Sequence, residues 1–143
     1  MRYLIMSVNF YRKIKILNDQ WDRKLKEFIL KNSSKKVLII LFGSRARNKH
    51  HLLSDYDILI ISNEDDLHPD VEFPCDIFVY TYKEAESQLK QGNTILLDAF
   101  LEGKFLVNNL KKTNSLKQQA QKIIDKKNLV KDRRGWLVNS IVE

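Results

Sequence analysis

Three aspartates and one glycine-serine pair are the residues of this chain best suited to chemistry. Asp55 and Asp57 sit one residue apart at the start of the apolar run YDILIIS, and Asp76 holds a similar place before IFVY. On a strand, alternate side chains share a face, so Asp55 and Asp57 project together, about 7 Å apart along the backbone. If the two apolar runs pair as neighbouring strands, Asp76 joins them. Three carboxylates in one small volume repel unless a cation sits among them. Oxygen-only donors suit a hard ion, above all Mg²⁺, which also takes water and phosphate oxygens.

Upstream, Gly43-Ser44 ends the apolar run VLIILF and precedes Arg45 and Arg47. A strand that runs into a Gly-Ser turn and then a helix from Ser44 to about Lys49 presents backbone N–H groups and a hydroxyl to an anion. Ser44 would cap that helix, and the two arginines would add positive charge or pair with nearby acids. A phosphate-binding turn beside a carboxylate cluster is what metal-assisted phosphoryl or nucleotidyl transfer requires. The segment GSRARNKH is not a Walker A loop, since it lacks the second glycine and the hydroxyl that follows the lysine.

The elements that must hold these residues can be read from periodicity. Ile14, Leu17, Trp21, Leu25, Phe28 and Ile29 recur at helical steps, predicting an amphipathic helix over 10–32. KKVLIILF, residues 55–62 and CDIFVY read as three strands, the first buried on both faces. Thr81 with Glu84 has capping-box spacing, so a helix starts there and stops near Gly92. Asn93 or Thr94 caps a second helix to Glu102, closed by Gly103, and KFLVN reads as a last short strand. Residues 113–127 predict a helix with Leu116, Ala120, Ile123 and Ile124 on one face, while KDRRGWLVNSIVE stays ambiguous. The fold class is therefore α/β (α+β): a small mixed β-sheet of three to four strands flanked by helices, in a single domain over 1–143.

Bulk properties narrow the setting. The net charge of +7 divides into +6 over residues 1–35, −6 over 36–103 and +7 over 104–143. An acidic centre suits a cation, and the basic flanks suit an anionic partner such as RNA, or are simply solvated lysine faces. One cysteine, Cys75, excludes an intramolecular disulfide and reads as buried rather than reactive. No signal-peptide core or membrane-length apolar run is present, so the expectation is a soluble, cytoplasmic protein. His50-His51 reads as loop rather than metal site, and Trp21, Phe28, Phe100 and Trp136 as packing residues.

The ordered set Gly43-Ser44-x-Ala46-x, Ser54-Asp55-x-Asp57 and a lone Asp76 on the next strand resembles the minimal nucleotidyltransferases of the DNA polymerase β superfamily. The resemblance covers about residues 36–108, including GNTILLDAFLEGKFLV, similar to the helix, turn and strand that close such domains. It implies a polymerase β-type fold and an NTP, ATP foremost, bound with a two-ion Mg²⁺ site. Asp55, Asp57 and Asp76 would hold the metal, and Asp76 would activate the acceptor hydroxyl. Gly43 and Ser44 would hold the β- and γ-phosphates, with Arg45 and Arg47 beside them. Small members of this family often serve as antitoxins of a helical HEPN-type ribonuclease toxin, some by transferring AMP to a tyrosine. Asn48 stands where the family shows a second glycine, and asparagine tolerates a left-handed backbone better than most residues. Two other readings stay open: a non-catalytic partner-binding domain of the same shape, and a nucleic-acid-binding module using the basic flanks. The acceptor and the oligomeric state, including a homo-oligomer, are not legible in the chain.

Overall fold

The computed structural model describes residues 2–48, 54–64 and 69–139, with the side chains of 2–7 left aside. His50 and His51, and part of the acidic loop after residue 64, lie outside the described residues. The chain runs α1 (Arg2–Asn32), β1 (Val37–Phe42), β2 (Tyr56–Ser62), β3 (Cys75–Tyr80), α2 (Tyr82–Lys90), α3 (Thr94–Glu102), β4 (Lys104–Asn108), α4 (Thr113–Lys126), β5 (Leu129–Asp132) and β6 (Gly135–Val138).

The first four strands form one mixed sheet in the order β3-β2-β1-β4. β1 is antiparallel to both β2 and β4, whereas β2 and β3 run parallel. β1 is buried along its whole length, because its two faces feed two separate cores. Leu38, Ile40 and Phe42 join Leu59 and Ile61 under α2, α3 and α4. Val37, Ile39 and Leu41 join Tyr56, Ile58 and Ile60 beneath Leu25 and Phe28 of α1. Continuous apolar runs, rich in Val, Ile and Leu, are what a strand covered on both faces requires.

Helix ends follow the expected chemistry. The Thr81 side chain accepts from the Glu84 N–H at 3.1 Å, and the Asn93 side chain accepts from the Ile95 N–H at 2.9 Å. Gly103 closes α3 for a steric reason, since a Cβ there would lie 2.2 Å from the Ala99 carbonyl oxygen and 2.3 Å from Ile40 Cγ2. Three elements differ from expectation. α1 begins at Arg2 rather than near residue 10. The ambiguous C-terminal stretch is the antiparallel hairpin β5–β6. Ser44 to Asn48 is one turn instead of a helix: the Ala46 and Arg47 N–H groups both donate to the Gly43 carbonyl at 3.2 Å. Left-handed residues bracket it, with φ at 75° on Gly43 and 56° on Asn48, so helical geometry cannot propagate past either end.

Candidate active site

Asp57 is the centre of the arrangement. The parallel register sets Asp57 directly opposite Asp76, and the antiparallel register sets it opposite Phe42. Tyr56 and Ile58, its neighbours in sequence, are buried on the opposite face, so period-2 alternation turns Asp57 toward the end of β1. Asp55 lies one residue before β2 and is exposed, and Asp76 is exposed near the start of the edge strand β3.

Gly43 meets Asp57 directly. A Cβ built on Gly43 would fall 2.3 Å from Asp57 Oδ2 and 3.2 Å from its Cγ. The carboxylate is therefore seated against the glycine backbone, and no other residue type leaves that room. Ser44 follows, half-buried. Gly43 and the Asp57 carboxylate are thus one packed unit, although the two residues are fourteen positions apart in sequence.

Electrostatics record the crowding. Burial holds the Asp57 carboxyl above the ordinary aspartate range, and the charges of Asp76 and Asp55 raise it further, against a lowering by Arg47. Cys75 feels the same three carboxylates: burial first, then Asp57, Asp76 and Asp55, push its thiol up to about 12. That matches the reading of Cys75 as unreactive, although the residue is half-buried rather than buried. Among the described residues no three His, Cys, Asp or Glu side chains are already arranged in ligating geometry. The donor chemistry nevertheless fits a hard divalent ion, because a cation among three mutually repelling carboxylates would relieve what raises Asp57.

The two arginines of the turn separate. Arg45 is buried, with only 4% exposure, and points to α1. Its guanidinium donates to the Asn18 Oδ1 at 2.8 Å and to the Ser54 carbonyl at 2.9 Å, and stacks 3.9 Å above the Tyr56 ring. Tyr56 in turn donates to Asp22. Burial first, and then that hydrogen bond, hold the Tyr56 hydroxyl far above the usual tyrosine range. Arg45, expected beside the phosphates, is instead the strut that ties the turn and the residue before Asp55 to α1. Arg47 is the partly exposed one, paired with Glu102 at 3.1 Å and close enough to lower Asp57.

Asn48 adopts the left-handed conformation that the missing glycine requires, and its Oδ1 accepts from Lys104 Nζ at 3.5 Å. Three residues to which the sequence assigned no role in the site, Asp98, Glu102 and Lys131, join its edge. Asp98 of α3 contributes to the rise of Asp57. It accepts from Lys131 Nζ at 2.6 Å and from Trp136 Nε1 at 2.7 Å, so the β5–β6 hairpin is hooked onto α3. Lys131 also reaches Glu102 at 3.0 Å. Burial raises the Glu102 carboxyl, but the hydrogen bonds from Lys131 and Arg47 outweigh it and hold it below the ordinary range. Gly103 marked Glu102 only as a helix end; its pairing with Lys131 spans 29 residues and carries no local signal.

Residues 22–134 match the nucleotidyltransferase domain family. The chain belongs to that family. This nucleotidyltransferase domain also aligns with solved structures. One, a toxin-antitoxin crystal structure with AMP-PNP, is 22% identical, covers 73% of this chain and 84% of its own, and superposes with a TM-score of 0.43. Another, a mutant of the toxin-antitoxin MntA-HpeT, is 20% identical, covers 68% and 80%, and has a TM-score of 0.40. No curated protein sequence matches the chain significantly. Among the described residues no helix of the nucleotidyltransferase domain is long and apolar enough to cross a membrane.

Proposed function

We propose that this domain transfers a nucleoside monophosphate, AMP from ATP foremost, to a hydroxyl of a macromolecular acceptor. The observation that carries this reading is the seating of Asp57 against Gly43 with Asp76 opposite it in register. Asp55, Asp57 and Asp76 would hold Mg²⁺, which when bound would offset their charge, bind the triphosphate and lower the pKa of the acceptor hydroxyl. Gly43 and Ser44 contribute the turn that receives the β- and γ-phosphates. Arg47 faces the same group and can exchange Glu102 for a phosphate oxygen, since Lys131 still satisfies Glu102.

In the proposed reaction the acceptor oxygen attacks the α-phosphorus, and the bond from that phosphorus to the bridging oxygen breaks. Pyrophosphate leaves, and the hydroxyl proton passes to Asp76. Asp76 is exposed on the edge strand, where a second macromolecule has room to approach. The resemblance to the small polymerase β-type nucleotidyltransferases points to a helical HEPN-type toxin as that acceptor, with this chain as its antitoxin.

The test is turnover of α-labelled ATP with Mg²⁺, using total RNA and any helical protein found encoded beside this chain as acceptors, repeated with Asp57→Ala. Label should pass to one acceptor in the wild type alone. Unchanged labelling by Asp57→Ala would sink the assignment. Stable co-purification with the helical protein, without any NTP binding, would favour the non-catalytic masking role instead.

A further inference from the structure

Beyond the carboxylates lies a second concavity, a cleft of about 610 Å³ between the Gly43–Asn48 turn, α3 and the β5–β6 hairpin. Its cations are Arg47, Lys131, Arg133 and Arg134. Arg133 and Arg134 form the two-residue tip of the hairpin, because Asp132 pairs with Gly135. Gly135 takes φ 112°, which lets so short a loop close.

The acids of the same wall are already engaged. Asp98 accepts from Lys131 and Trp136, Glu102 accepts from Lys131 and Arg47, and Asp132 holds Arg134 at 3.0 Å. A cation entering the cleft would meet no unpaired carboxylate. An anion would meet a surplus of donors, since each guanidinium offers five N–H groups. Arg47 has one ion pair, to Glu102, and Arg133 makes no hydrogen bond or ion pair among the described residues. Arginine forks match phosphate oxygens in pairs, and exposed ones lose little hydration in doing so. The cleft is also continuous with the candidate site, because Arg47 on its wall belongs to the same turn as Gly43, against which Asp57 is seated.

We propose that this cleft is a second anion subsite that takes phosphate groups, with Arg133 and Arg134 closing over it from the hairpin and Arg47 shared with the carboxylate site. The phosphates come from one of two sources, the polyphosphate tail of the bound nucleotide or the backbone of a nucleic-acid strand. Their role as substrate phosphates rests on the proposed transfer reaction; the affinity of the cleft for phosphate does not.

Calorimetric titration without Mg²⁺ tests the subsite, with sodium tripolyphosphate and a ten-nucleotide single-stranded RNA as probes. The wild type is compared with Arg133→Ala/Arg134→Ala, whose exposed tip positions leave the fold intact, as a matching Tm would verify. At least a tenfold loss of affinity in the double variant is expected. If tripolyphosphate carries that loss, the nucleotide tail is the source; if RNA carries it, with affinity falling steeply in salt, the strand is the source. Equal binding by the wild type and the double variant, or no binding of either probe, overturns the subsite. Asp57→Ala should keep the Mg²⁺-free affinity while losing turnover. Retained turnover in Asp57→Ala would defeat the transfer reaction and leave the subsite standing.

Discussion

Substituting Gly43 by alanine attacks the site through its backbone. Gly43 lies at φ 75°, a region that costs an L-residue roughly 1–2 kcal/mol. On a domain of this size that amounts to about 3–8 °C in Tm. The added methyl would also sit 2.3 Å from Asp57 Oδ2, so the carboxylate must retreat by about 1 Å to restore ordinary contact. A misplacement of that order costs on the order of 100-fold in rate when the displaced group positions substrate. The expected result for Gly43→Ala is a modest loss of stability, read by thermal denaturation, with turnover of ATP down about 100-fold. Asn48→Gly is the companion variant: relieving a left-handed asparagine should raise Tm slightly and leave turnover intact. Gly43→Ala with wild-type turnover would refute the idea that the glycine exists to seat Asp57. A loss of stability in Asn48→Gly would refute the left-handed turn.

The arginines should separate in their effects. Arg45→Ala is expected to cost about 2–3 kcal/mol in denaturant unfolding, because it removes the guanidinium hydrogen bonds to Asn18 and the Ser54 carbonyl together with a stacked cation. Arg47→Ala should change stability by less than about 1 kcal/mol and weaken nucleotide binding instead. Asp57 has its carboxyl pKa raised on folding, so its ionisation lowers stability as pH rises through the folded value. Asp57→Asn should therefore melt higher than the wild type at pH 7 without Mg²⁺, and the gap should close below the unfolded value of 3.8. Added Mg²⁺ should raise the Tm of the wild type more than that of Asp57→Asn. Glu102 has the opposite sign: its lowered pKa stabilises the fold above the unfolded value of 4.5, and that stabilisation is lost as pH falls through the folded value. The stability difference between wild type and Glu102→Gln, about 1 kcal/mol at pH 7, should shrink across that acid range.

Much of this protein is decided by the sequence alone, where the determinants are local. Alternation along YDILIIS separates Asp57 from Tyr56 and Ile58, because successive strand residues point to opposite faces. Doubly apolar runs specify β1 and β2 as central strands, and Thr81 and Asn93 cap their helices by reaching residues two or three positions on. Asn48 carried its own signal, being one of the few residues other than glycine that accept a left-handed backbone.

What only the tertiary structure decides depends on partners far along the chain. Nothing in RAR distinguishes its two arginines. Arg45 turns inward because Asn18, 27 residues earlier, and the face of Tyr56 are there to receive its guanidinium. Arg47 turns outward to Glu102, 55 residues later. The expected helix after Gly43 reduces to one turn because Gly43 must hold φ 75° to let Asp57 pack against it. The weakly patterned tail KDRRGW becomes a hairpin whose Lys131 and Trp136 find Asp98, more than 30 residues upstream. Hydrogen-bond and charge complementarity of that range leaves no periodicity in the sequence. It becomes legible only when the sheet brings the ends of β1, β2 and α3 together, and it places a cleft lined by four cations beside the candidate site of three aspartates.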